Sequence, residues 1–217
     1  MMIRTALSWR RGGKSIFLTT LRSLLPHSDT LAHLARLYGA SEDPWDHRSS
    51  SYEAAKYEAT LSAIGPGPFR EALEIGCGNG ELASRLAPRC RRLTAMECIP
   101  AAAQSARRRL AGFSQAEVLD GCAPQDLPRI QPDLVLLSEV LYFMTPAEIG
   151  VLALWLNRNA AGPIVAVNWT GPTDELLTGP EAVGLLAQGL LTRQVQHFEG
   201  FRIDVLATAK QESVQAP

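Results

Sequence analysis

The chain has 217 residues, 46% of them apolar and 20% charged, with a formal net charge of −1. That length fits one ordinary domain with short additions, and the near-neutral charge excludes a global drive toward nucleic acid or an anionic membrane surface. No run of eighteen apolar residues is present, so neither a spanning helix nor stable membrane insertion is expected.

Residues 1–28 carry Arg4, Arg10, Arg11, Lys14 and Arg22 and no acid. They read as a basic arm, expected to be mobile, with the charge of a transit peptide or of an amphipathic segment that touches a surface. Leu31, Leu34, Ala35 and Leu37 lie close to a helical stripe, so a helix is expected around His33–Tyr38. The stretch ASEDPWDHRSSS breaks it, and a second helix is expected from about Tyr52 to Ile64, ended by GPGP. Residues 29–66 are thus expected to be N-terminal helices forming a lid, residues 67–210 the main domain and residues 211–217 a tail.

After residue 70, strand and helix alternate. EALEI, RRLTAM, QAEVLD, PDLVLLS and PIVAVNW read as strands, the last two nearly unbroken apolar runs of the kind buried on both faces. ELASRLA, AAAQSARRRL behind Pro100, Pro146–Asn157 and Glu181–Gln188 read as helices. LLTRQVQHF and FRIDVLATA flank a Glu-Gly turn and read as a hairpin. Alternation of this kind gives an α/β fold: a mostly parallel sheet of seven strands with helices on both faces and a C-terminal antiparallel hairpin. Ligands of such sheets bind beyond the carboxyl ends of the strands. The four cysteines (Cys77, Cys90, Cys98, Cys122) form no C-x-x-C pair and stand at no metal-ligand spacing from a histidine, which fits a reduced, cytoplasmic setting and no metal.

The sequence EIGCGNG closes the first strand. A dinucleotide fingerprint would need a third glycine at position 81, where Glu81 stands, and a P-loop would need Lys followed by Ser or Thr. Glu74 instead aims a carboxylate at a loop of Gly76, Gly78 and Gly80. It would repel a pyrophosphate and welcome a cation, while the glycines permit a tight turn and close approach of a ligand. The loop therefore expects a ligand that is cationic near Glu74 and nucleoside-like elsewhere. S-adenosylmethionine, with its ammonium and sulfonium charges, fits.

LEIGCGNG resembles the first motif of class I S-adenosylmethionine-dependent methyltransferases, and the resemblance implies their Rossmann-like fold. It implies further that Glu97, at the end of the second strand, accepts from the ribose hydroxyls, as a carboxylate suits a vicinal diol. Ile99 would pack on the adenine and Asp120 would accept from its amino group, with Ser138 also in the cofactor site. DPWDHRSSSYEAAKY, SEVLYFM, NWTGPTDELLTG and GFRIDVL resemble the nodulation protein S family, over roughly residues 38–208. Enzymes of that family N-methylate a de-N-acetylated amino sugar, so the resemblance implies a small amino sugar-like acceptor, with no nucleic-acid partner and a monomer or weak dimer.

Methyl transfer is an in-line displacement, and the acceptor nitrogen needs a free lone pair. Glu139, just after the fourth strand, is the candidate group to take a proton or hold the amine, and Tyr142 the candidate aromatic face for the cationic methyl. Tyr52 and Lys56 stand four apart and share a helix face. Together with Arg48 they are candidates for the cofactor's carboxylate end, with Arg48 or Lys56 supplying the charge. Tyr57, Trp169 and His197 are candidate acceptor-binding residues, the indole as a platform for a sugar. Two alternatives stand beside the N-methyltransferase: an O-methyltransferase of another small molecule, and a cofactor-binding module without chemistry.

Overall fold

The computed structural model describes residues 27–213, and the basic arm lies outside the described residues except for His27 and Ser28, which begin the first helix. The elements run α1 (His27–Ala40), α2 (Ser51–Ile64), β1 (Ala72–Ile75), α3 (Glu81–Leu86), β2 (Leu93–Glu97), α4 (Pro100–Leu110), β3 (Ala116–Asp120), β4 (Leu134–Ser138), α5 (Pro146–Asn159), β5 (Ile164–Trp169), α6 (Gly179–Ala187), β6 (Leu191–His197), β7 (Phe201–Ala207) and α7 (Ala209–Ser213). One seven-stranded sheet results, in the order β3-β2-β1-β4-β5-β7-β6. β1 to β5 are mutually parallel, while β7 runs antiparallel to both β5 and β6. This is the mostly parallel seven-stranded sheet with a C-terminal antiparallel hairpin expected from the alternation, and it has the architecture that the resemblance to class I methyltransferases implies.

Each strand of the centre is apolar on both faces and is covered on both. On one side Leu73, Ile75, Val135, Leu137, Ile164 and Ala166 pack with Ile149, Leu152 and Leu156 of α5 and Val183 and Leu186 of α6. On the other, Ala72, Ala95, Leu136, Val165, Val167 and Ile203 meet Leu82 and Leu86 of α3, Ala106 and Leu110 of α4, and Tyr57 and Ile64 of α2. At about 25 cal/mol per Å² of apolar area, these two layers supply the bulk of the folding drive. Local signals start and stop the helices. Thr145 and Glu148 form a reciprocal capping box at α5, and Thr178 and Glu181 do the same at α6. Ser50 accepts from the backbone N–H of Glu53 to open α2.

The two N-terminal helices differ in their roles. α2 belongs to the helical layer on the sheet. α1 lies over α4, where Leu34 and Tyr38 bury against Ile99 and Ala102. It begins earlier than its apolar stripe, at His27, and Thr30 in its first turn donates from Oγ1 to Glu175 Oε2 at 3.0 Å. The hairpin turn is Phe198-Glu199-Gly200, with Gly200 at φ +84° and Phe198 N–H bonded to Phe201 O at 2.9 Å. No helix among the described residues is long and apolar enough to cross a membrane.

Candidate active site

Strand order reverses between β1 and β4, each the innermost strand of its half of the sheet. The crevice beyond their carboxyl ends is where sheets of this type hold ligands. The loops after β1 and β4 carry the residues that matter.

After β1 the chain turns through Gly76, Gly78 and Gly80 at φ +76°, +56° and +81°. All three values lie where a side chain is strained, and close neighbours reinforce the requirement. A Cβ on Gly78 would lie 2.7 Å from the Tyr38 hydroxyl, and one on Gly80 would lie 2.9 Å from Cα of Ala106. Glu97 holds the loop from the next strand. Its Oε2 accepts from Gly78 N–H and its Oε1 from Ile99 N–H, both at 2.8 Å. Burial pushes the Glu97 carboxyl upward, against the opposing pull of these backbone donors.

Glu74 lies behind the loop, 2% exposed, and its Oε2 has no hydrogen-bond partner among the described residues. Burial, aided by the charge of Glu97, pushes its carboxyl up to about 8. A buried carboxylate oxygen without a donor is costly, and it is the group that a cationic ligand would satisfy. Asp120 ends β3 in register with Glu97. Its side chain is exposed and ion-paired with Arg107 of α4. Ile99 is buried under α1 between Leu34, Tyr38 and Ala102.

The second cluster forms at the end of β4. Ser138 is the last residue of the strand, in register with Val167. Glu139 follows in a left-handed conformation, φ +55°, with its N–H bonded to Val167 O at 2.8 Å. Among the described residues only it and Asp46 adopt positive φ without being glycine. Such strain persists where the surroundings enforce it, and it concentrates at functional sites. Here the carboxylate is held by three donors. Oε1 accepts from Lys56 Nζ at 3.0 Å, and Oε2 accepts from the Tyr142 hydroxyl at 2.8 Å and Trp169 N–H at 2.9 Å. Lys56 also donates to Glu53 Oε1 at 2.9 Å and lies 5.3 Å from the Tyr52 ring centroid. Burial lowers the Lys56 ammonium, but Glu139 and Glu53 together raise it above its ordinary value. The Tyr52 hydroxyl is buried with no partner among the described residues, and burial pushes it up to about 12. The indole of Trp169 stands edge-on to Tyr52, ring centroids 6.3 Å apart, with the hairpin turn behind it at Gly200.

The structure thus brings Glu139, Tyr142, Lys56, Tyr52 and Trp169 together at β4–β5, and Glu74, Gly76, Gly78, Gly80, Glu97 and Ile99 at β1–β2. Three other candidates lie elsewhere. Arg48 is exposed on the 41–50 loop beside Glu42, 3.8 Å away. Tyr57 is buried in the core, with the Arg85 guanidinium 5.3 Å from its ring centroid. His197 is exposed at the end of β6, opposite Arg202.

Sequence reasoning passed over the residues that tie the two parts together. Asp43 Oδ1 accepts from Asn79 Nδ2 at 2.9 Å and from His47 N–H at 2.9 Å, and Oδ2 accepts from Arg48 N–H at 3.0 Å. One carboxylate therefore fastens the 41–50 loop to the glycine loop. Glu53 was also missed, although its spacing of three from Lys56 on a helix was a usable signal.

A family model described as Nodulation protein S (NodS) matches residues 28–153. Nodulation protein S of Sinorhizobium fredii (strain NBRC 101917 / NGR234) is 32% identical over 113 residues, 52% of this chain and 52% of that protein. The protein of the same name from Rhizobium tropici is 31% identical over 106 residues, 48% of this chain and 44% of that one. The chain spans about half the length of the curated relatives it matches. Among solved structures, the N-methyltransferase NodS from Bradyrhizobium japonicum WM9, in complex with S-adenosyl-L-homocysteine, superposes with a TM-score of 0.73 at 22% identity. That match covers 83% of this chain and 98% of the other. A putative methyltransferase from Pseudomonas syringae gives a TM-score of 0.64 at 28% identity, covering 72% and 99%. With the family model matching more than half of its length, from α1 into α5, this chain belongs to the nodulation protein S family.

Proposed function

We propose that the protein is an S-adenosylmethionine-dependent N-methyltransferase that acts on an amino group of a small molecule, a de-N-acetylated amino sugar or oligosaccharide. The observation that carries this reading is Glu74, a buried carboxylate with an oxygen that lacks a donor, behind a loop of three left-handed glycines. The donor set fits the cofactor: a carboxylate for a cationic group, open glycine backbone for close approach, and Glu97 and Asp120 in register for a nucleoside. Family membership and the S-adenosyl-L-homocysteine bound to the solved relative support the same reading.

When bound, S-adenosylmethionine supplies an electrophilic methyl on a sulfonium, so the chain's task is positioning and charge. Glu74, the glycine loop, Glu97, Ile99, Asp120 and Ser138 would hold it. Glu139 is fixed by three donors and offers a carboxylate to the acceptor nitrogen, which binds and orients an amine better than a neutral hydroxyl. Tyr142 and Trp169 border that position, and Trp169 suits the apolar face of a sugar ring. The protein would work as a monomer or weak dimer in the cytoplasm.

Calorimetric titration with S-adenosylhomocysteine tests the cofactor. A labelled-methyl assay against amino sugars and de-N-acetylated chitin oligosaccharides, with their N-acetylated forms as controls, tests the acceptor. Binding plus methylation of the free amines alone is expected. Absence of S-adenosylhomocysteine binding would overturn the whole reading, and methylation of hydroxyls instead of amines would overturn its finer part.

A further inference from the structure

Among the described residues, Lys56 is the one buried lysine, and its ammonium is shared by two carboxylates. Its Nζ lies 2.9 Å from Glu53 Oε1 and 3.0 Å from Glu139 Oε1. The side chains of Lys56, Glu53 and Glu139 are 5%, 10% and 22% exposed, so the outermost of the three is the one that borders the candidate acceptor position. Two carboxylates and one ammonium leave one negative charge in excess.

The surroundings do not cancel that charge. Burial holds the phenols of Tyr52, Tyr57 and Tyr142 in their neutral forms, and it depresses His47, which favours a neutral imidazole there. Glu175, facing Tyr142, and Asp43, facing His47, add negative charge. Arg85 lies over the Tyr57 ring and is bonded to Glu81. An unbalanced charge in a largely desolvated cluster is unfavourable, and the remedy is a second cation.

We propose that Glu53 and Lys56 are specificity-determining residues: with Glu139 they form a triad of net charge −1 that selects an acceptor arriving as a monocationic amine over its neutral hydroxyl counterpart. This deepens the N-methyltransferase reading and rests on it. A primary amine is largely protonated at neutral pH, so it enters as the cation the triad lacks. Lys56, held as an ammonium by two carboxylates, positions Glu139 and does not take up a proton. Glu53 never needs to touch the acceptor. Its charge engages Lys56 and so leaves the charge of Glu139 uncompensated toward the crevice.

The test uses the full chain loaded with S-adenosylhomocysteine. Calorimetric titration with glucosamine is compared with glucose, in the wild type and in Glu53→Gln, an isosteric change that makes the triad neutral. The wild type is expected to bind the amine preferentially. Glu53→Gln is expected to lose about tenfold of that preference, the scale of one charge-assisted contact, with unchanged S-adenosylhomocysteine affinity as proof of fold. Equal or absent heat from both sugars in the wild type, or an unchanged preference in the variant, would overturn the triad. Failure to bind S-adenosylhomocysteine would overturn the underlying reading instead. A second readout needs no acceptor. The chain has three lysines, Lys14, Lys56 and Lys210. In ¹⁵N-lysine-labelled protein, the Lys56 ammonium is expected to stay protonated to a higher pH in the wild type than in Glu53→Gln. A Lys56 whose titration is the same in the two proteins would also overturn the proposal.

Discussion

Replacing Glu74 by Gln probes the cofactor half of the site with a sign that can be worked out beforehand. Burial and Glu97 push the Glu74 carboxyl up to about 8 from the usual 4.5. Only about 1% of it is ionised at pH 6 and about half at pH 8, so a ligand that requires the carboxylate should bind roughly fifty-fold more tightly at pH 8 than at pH 6. Stability moves the other way. The folded state keeps the Glu74 proton in a window where the unfolded state has lost it, so this stabilising term is present in full below pH 4.5. It is lost as pH rises from 4.5 through 8, and it amounts to about 5 kcal/mol in all. Glu74→Gln carries no titrating proton and should flatten both dependences. The assays are S-adenosylhomocysteine calorimetry and urea unfolding, each at pH 6, 7 and 8. A wild type whose affinity is flat across this range, or a variant that keeps the slope, would refute the assignment of Glu74 to the cation.

Three further changes address other parts. Gly78→Val places a branched side chain at φ +56° against the Tyr38 hydroxyl, so S-adenosylhomocysteine binding should fall below detection by calorimetry while the melting temperature drops by only about 5 °C. Glu139→Gln should leave S-adenosylhomocysteine affinity unchanged and lower kcat by on the order of 10²-fold in the labelled-methyl assay; equal kcat across pH would remove Glu139 from the mechanism. Asp43→Ala removes the acceptor shared by Asn79 and the backbone of His47 and Arg48. The 41–50 loop should then become the first site of limited proteolysis, with cofactor affinity down about tenfold.

The sheet was legible in the sequence because its strands are buried on both faces and announce themselves as short apolar runs. PDLVLLS and PIVAVNW fall on β4 and β5 almost residue for residue. The glycine loop was legible for a related reason, since three alternating glycines have few uses other than three positive φ angles. The links between segments were not legible. Asn79 finds Asp43 across 36 positions and Lys56 finds Glu139 across 83. No periodicity or propensity carries information over such separations, because those contacts are chosen by the topology and not by the neighbours in sequence. The contact of Thr30 with Glu175, 145 residues away, was beyond reach for the same reason.

The placement of the two carboxylates also suits the proposed reaction: Glu74 is buried and Glu139 partly buried, just past the end of the adjacent strand. A sulfonium donor and a protonated amine are both cations, and bringing them within reacting distance costs energy wherever water is excluded. β1 and β4 are adjacent parallel strands, with Glu74 opposite Leu136 and Glu139 three residues beyond it. Neighbouring strands run about 4.8 Å apart, so the two carboxylates come from the ends of adjacent strands. Each would offset one of the two incoming charges. Glu74 without a donor and a triad with one charge in excess both carry a cost in the free protein, and both costs would be relieved by the two reactants together. The two sites are then coupled: at saturating S-adenosylmethionine the KM for the acceptor amine should be higher in Glu74→Gln than in the wild type, because the sulfonium is left uncompensated, and an equal or lower KM would refute the coupling.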